Sequence, residues 1–156
     1  MNYTVRLYKE ETDGQQALKL LKAWHHGPKY LDEIRGVGAV AIDDKTHEII
    51  GFAHVLVGHA SFVYWDNLVT ETSRSDREDI AIDVGVFLLS LLKRAGVKKI
   101  YAAIQNEKLQ RVLELIGFEP LNKHVTIVGD MEKISSNISS YFNGKSQGNA
   151  DIHLNV

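Results

Sequence analysis

Three short stretches hold side chains able to move a proton or meet an anion near neutral pH: "AHVLVGH" around His54 and His59, "WDNLV" around Asp66, and "TETSRSDREDIAID" from Thr70 to Asp83. Histidine titrates near neutrality, which suits His54 and His59 to general-base work, although a lone strand histidine also serves as a structural side chain. The third stretch follows an apolar, strand-like run and leads into a helix. At such a junction a phosphate-binding turn carries glycines, so that backbone N–H groups can close on the anion. This stretch has no glycine. It carries Asp76, Glu78 and Asp79, which repel phosphate, beside Arg74 and Arg77, which attract it.

Other chemistries are disfavoured. There is no cysteine among the 156 residues, which removes disulfides, thiolate metal sites and cysteine nucleophiles. No His/Asp/Glu group has metal-ligand spacing, and neither a Gly-x-Ser-x-Gly nor a Walker-type loop occurs, so no metal site is expected. A net charge of −2 argues against general nucleic-acid binding. With 44% hydrophobic and 24% charged residues and no apolar run long enough to span a bilayer, a soluble globular protein without membrane contact is expected. The start, "MNYTVRLYKEETDG", lacks the basic-then-apolar layout of a signal peptide, and a cytoplasmic location is the expectation. Charge is uneven: Thr70 to Asp83 has five acids against two arginines, whereas Lys93 to His124 has seven Lys/Arg against three acids. An anionic ligand would prefer the second region.

The elements that must position these groups follow from periodicity. Tyr3 to Leu7 alternates as a first strand. "TDGQQALKLLKAW" places Ala17, Leu18, Leu20, Leu21 and Trp24 on a helical stripe, with Asp13 and Gln16 as cap and N3 partner, and His25 to Pro28 ends it. Val37 to Ile42 and Ile49 to Val57 form a hairpin about "DDKTHE". The second strand is apolar on both faces and so reads as central. Phe62 to Val69 is a further strand with Phe62, Tyr64, Asp66 and Leu68 on one side. A broadly apolar helix covers Ile80 to Ala95, opened by a capping box of Ser75 and Glu78 and closed by Gly96. "KKIYAAIQ" is a short strand, Asn106 begins a helix that Gly117 closes, and "HVTIVGD" supplies a last strand.

The order predicts an α/β (α+β) fold: a mixed, mainly antiparallel, twisted sheet of six to seven strands with helices on both faces. Its expected extent is residues 1–130. From 131 to 156 the texture changes to a C-terminal appendage: a short helix striped by Met131, Ile134, Ile138, Tyr141 and Phe142, a linker "NGKSQGN", and an alternating edge-strand candidate "DIHLNV". Packing on the body, pairing in a homodimer and disorder are all open to it.

Residues 38 to 129 resemble the GNAT superfamily of N-acetyltransferases. The carrying stretch is "KRAGVKKIYAAIQNEKLQRVLELIGFEP", with Gly96, the strand Ile100 to Ile104, Asn106 and Gly117-Phe118 at the family spacing. The hairpin ending "IIGFAHV" and the strand end "WDNLV" match as well. The resemblance implies acetyl-CoA as cosubstrate. Its pantetheine arm would bond backbone groups of Leu68, Val69 and Thr70, its pyrophosphate would sit at the next helix N-terminus near Arg74 and Arg77, and Asn106, Lys108 and Arg111 would add further contacts. For Asn106 a helix cap, and for Lys108 and Arg111 a solvated basic face, are the plainer readings. Asp66, beside the expected thioester, is then a candidate general base or amine anchor, with His54 and His59 as alternatives. His25-His26 either caps its helix or lines the acceptor cleft. The acceptor would be a small-molecule or protein amine.

Two positions depart from the family pattern. The central glycine of the cofactor turn falls on Asp79, and the tyrosine that protonates the leaving thiolate falls on Leu113. These departures keep a second class open, a non-catalytic GNAT-fold protein acting by macromolecular interaction, similar to small phage-encoded GNAT-like proteins.

Overall fold

A computed structural model describes residues 2–24, 37–58, 63–103, 107–120 and 126–146. In chain order the elements are β1 (Tyr3–Leu7), α1 (Glu10–Ala23), β2 (Val37–Asp43), β3 (Ile49–Val57), β4 (Val63–Thr70), α2 (Arg77–Arg94), β5 (Lys99–Ala103), α3 (Glu107–Leu115), β6 (Phe118–Pro120), β7 (Thr126–Asp130) and α4 (Met131–Ser146). The strands hydrogen-bond in the order β1-β2-β3-β4-β5-β7-β6, a seven-stranded mixed sheet. Of the pairings with a resolved register, only β4 with β5 is parallel, at Val63 to Trp65 against Ile100 to Ala102. Two compact units divide the chain: residues 1–57 with 66–88, and 58–65 with 89–156.

In the first unit the core is a layer of α1 on strands. Ala17, Leu20 and Leu21 lie at helical spacing and bury against Val40, Ile49, Phe52 and Val69. Removing a leucine or phenylalanine side chain of this size from water contributes about 1.5–3 kcal/mol. The other face of β3 takes α2 at very short range. Any Cβ on Gly51 would come within 2.5 Å of Ile80 Cγ2, so only glycine lets that helix approach. Helices on both faces of an apolar central strand are as the sequence leads one to expect.

The start of α1 differs from expectation. Its N-cap is Lys9, and Asp13 lies inside the first turn, buried at 3% exposure. The reason is a contact outside the helix: Asp13 accepts two bonds from the Arg6 guanidinium at 2.7 and 2.8 Å, one from Lys9 N–H at 2.8 Å and one from the Thr12 hydroxyl at 2.9 Å. Burial acts to raise the Asp13 pKa, but these donors outweigh it and the net shift is downward. Gln16 is likewise no capping partner; its Oε1 accepts the N–H of Ile49 at 2.8 Å. The capping box expected at α2 is also out of register. The helix starts at Arg77 and Ile80 N–H bonds the Asp76 carbonyl at 3.1 Å, which makes Asp76 the N-cap residue.

In the second unit Gly96, with φ +84°, ends α2 as expected. Its N–H reaches Lys93 O at 2.9 Å while Val97 N–H reaches Leu92 O at 3.0 Å, the paired bonds of a Schellman turn. Strand β6 is additional to the sequence reading; three residues ending in proline give no alternation to detect. Met131 and Ile134, at the start of α4, are buried, and Ile134 lies with Phe118 against Gly129. Helix α4 runs on through Asn143-Gly144-Lys145-Ser146, where the sequence suggested linker. A glycine costs a helix only about 1 kcal/mol, least noticeable near a terminus. The expected edge strand lies outside the described residues.

Candidate active site

The proton-moving candidates of the first unit converge where β3 and β4 run side by side. Strand β3 is central, so His54 is 3% exposed. Its ring stacks on Phe52 with centroids 5.8 Å apart and 18° between planes, and Phe52 in turn meets Tyr8 at 5.3 Å and 56°. Stacking on a core aromatic fixes the imidazole plane. His54 Nδ1 then lies 3.5 Å from Asp66 Oδ2 on β4, close enough for an ion pair when the imidazole is protonated. The same Asp66 oxygen accepts a bond from Asn67 Nδ2 at 2.5 Å. Asp66 is the outer member of the pair, its side chain 15% exposed against 3% for His54.

Two buried polar atoms in this row have no hydrogen-bond partner among the described residues, His54 Nε2 and the Tyr8 hydroxyl. Burial, with Glu10, Asp13 and Glu11 nearby, pushes the Tyr8 pKa up to about 12, so its hydroxyl keeps its proton. With Nε2 buried, Nδ1 is the His54 atom that meets the more accessible carboxylate of Asp66.

The segment after β4 is built differently from an open anion turn. The Thr70 carbonyl already accepts the Trp24 indole N–H at 2.8 Å, which ties the end of α1 to the end of β4. Arg74 donates from Nε and Nη2 to the two oxygens of Asp76, both at 2.8 Å, and from Nη1 to Asp43 Oδ2 at 2.7 Å. The other Asp43 oxygen accepts Lys45 N–H at 2.9 Å and Thr46 N–H at 3.0 Å. These two backbone donors, with Arg74, hold the Asp43 pKa down at about 2. The Arg74 bonds lower the Asp76 pKa as well, and the two carboxylates raise that of Arg74. Arg77 is partly buried in the first turn of α2, beside Glu78 and the exposed Asp79.

Of the remaining sequence candidates, Leu68 is partly buried and Val69 belongs to the core. Lys108 lies in α3, where Arg111 is exposed and Leu113 partly buried. His59 and Asn106, together with His25-His26, lie outside the described residues. Sequence reasoning missed Asn67, Asp43, Tyr8 and the polar role of Trp24. Only Asn67 had a local signal, its adjacency to Asp66. Among the described residues no three His, Cys, Asp or Glu side chains are grouped to hold a metal ion, and no helix is long and apolar enough to cross a membrane.

No protein-family model matches the sequence, and no curated protein matches it. Solved structures do. The aminoglycoside 6'-N-acetyltransferase from Enterococcus faecium matches with TM-score 0.67 at 12% identity, over 82% of this chain and 97% of that one. The GNAT family N-acetyltransferase YhbS from Escherichia coli, in complex with CoA, matches with TM-score 0.63 at 15% identity, over 88% and 85%. The PaiA N-acetyltransferase from Thermoplasma acidophilum, in complex with coenzyme A, matches with TM-score 0.62 at 13% identity, over 83% and 99%. The chain has the fold of the GNAT acyl-CoA N-acyltransferases.

Proposed function

We propose that the protein is an N-acetyltransferase that moves an acetyl group from acetyl-CoA to an amine, on a small molecule or a protein. The observation that carries this reading is the His54 and Asp66 pair, 3.5 Å apart on adjacent strands of a fold shared with acyltransferases. Asp66, the more accessible member, receives the acceptor ammonium, and His54 behind it stabilises the shared proton. The ammonium gives one proton to the pair, and its nitrogen forms the C–N bond at the thioester carbonyl. The C–S bond breaks with its electrons on sulfur, and the second nitrogen proton passes to solvent, which balances the proton the thiolate later takes from water. A backbone N–H near Leu68 to Thr70 would hold the oxyanion. By the family resemblance the proton-donating tyrosine falls on Leu113, a side chain with no proton to give. A thiolate with pKa near the ordinary thiol value of about 8.5 can leave unaided and take its proton from water.

Titration calorimetry with acetyl-CoA tests the reading, because binding must precede transfer. Saturable heat supports it, and no heat at millimolar acetyl-CoA rejects it. A specific observation favours a second reading: Arg74 is bonded to two carboxylates of its own chain. A protein of this fold that acts by macromolecular contact would need neither a free Arg74 nor Asp66. If Asp66→Asn leaves the biological activity intact while deletion of residues 131–156 abolishes it, this second reading replaces the first.

A further inference from the structure

The acetyl donor implied by the fold ends in a nucleotide bearing several phosphates, and the turn that would face them in such a fold carries its own anions. Asp76 takes two parallel bonds from Arg74, the fork geometry that a phosphate would otherwise adopt. Asp43 takes a third, and Asp43 is itself fixed by two N–H groups of its own turn, so it does not swing away. Each of the three guanidinium nitrogens of Arg74 thus already donates to a carboxylate of its own chain. Arg77 is the second cation of the segment, and Glu78 and Asp79 stand beside it in the first turn. Four carboxylates therefore accompany two guanidiniums, and a phosphate arriving at the Nε–Nη2 edge of Arg74 would have to displace a bidentate partner while adding charge of the same sign.

From this we infer that Asp76, with Asp43, is a donor-specificity element: the acetyl donor is gripped through its acyl-pantetheine arm, and the nucleotide half adds no affinity. S-acetyl-pantetheine is then as good a ligand as acetyl-CoA. The inference rests on the acyl-transfer reading and adds to it which part of the donor is recognised. Salt supplies a readout independent of turnover. Where phosphates are attracted, added salt weakens binding. Where they meet net negative charge, added salt leaves binding unchanged or strengthens it.

The experiment is calorimetry of the full chain with acetyl-CoA and with S-acetyl-pantetheine, at about 50 mM and about 300 mM NaCl, where the screening length differs about twofold. The expected result is dissociation constants within about threefold of each other, with acetyl-CoA binding no weaker at high salt. In Asp76→Asn, Arg74 loses its charged fork partner, and acetyl-CoA should bind about tenfold tighter while S-acetyl-pantetheine stays within about twofold. Thermal unfolding of the same variant reports whether it folds, and the wild-type comparison of the two donors does not depend on it. Acetyl-CoA bound more than about tenfold tighter than S-acetyl-pantetheine in the wild type, with affinity falling as salt rises, overturns the inference and leaves acyl transfer standing. Binding of neither donor overturns both.

Discussion

The indole N–H of Trp24 donates to the main-chain carbonyl of Thr70 at 2.8 Å, joining residues 46 apart in the chain. Thr70 is buried, at 3% exposure, so loss of the indole takes a donor from a buried carbonyl. Trp24→Phe keeps much of the apolar volume and removes the donor. It should lower unfolding free energy by about 1–3 kcal/mol, measured by urea denaturation. A change under about 0.5 kcal/mol would mean that the carbonyl finds another donor at no cost.

The acid side of the stability profile should carry the signature of Asp43. Its pKa is held at about 2 in the folded chain against 3.8 for the free side chain. A carboxylate whose pKa is depressed on folding stabilises the native state above the unfolded value and loses that contribution as pH falls through the folded one. The window is therefore between pH 3.8 and about 2. Denaturation midpoints followed through it should fall less steeply in Asp43→Asn than in the wild type. Parallel profiles would remove Asp43 from the acid response.

Close approach of α2 to the sheet gives a packing prediction. Gly51→Ala would bring a Cβ to 2.5 Å from Ile80 Cγ2 and to 3.4 Å from Val84 Cγ2. Such overpacking in a core costs about 1–3 kcal/mol. Ile80→Ala removes Cγ2, so in Gly51→Ala combined with Ile80→Ala the added Cβ should cost less than it does alone, and thermal denaturation of the single and double variants measures the coupling. Simple additivity would contradict the contact.

Much of the sheet was legible because its signals are local. Alternation gave Tyr3 to Leu7, and the continuous apolar run gave Ile49 to Val57, with the bounds observed. The features that sequence reading misplaced depend on partners distant in the chain. Arg6 draws the Asp13 carboxylate into the first turn of α1, so a residue that looks like a cap is buried inside the helix. His54 and Asp66 were each recognisable as proton-moving types, but their adjacency arises from the packing of β3 beside β4. Arg74 had a phosphate-binding appearance in its segment, and nothing local announced Asp43, 31 residues earlier, as its partner. Composition showed that the turn is acidic; only the structure shows that its acids hold its arginine.

If Asp66 and His54 work together on the acceptor amine, thiol release from acetyl-CoA with an amine panel, in wild type and Asp66→Asn, reports it most closely. The amide keeps the shape and can still accept from Asn67, so stability should change little. The expected result is amine-dependent thiol release by the wild type, and kcat/KM lower by about a hundredfold to ten-thousandfold in Asp66→Asn with its unfolding midpoint preserved. Equal kcat/KM in the two proteins, or a wild type that releases no thiol with any amine while binding acetyl-CoA, would contradict it.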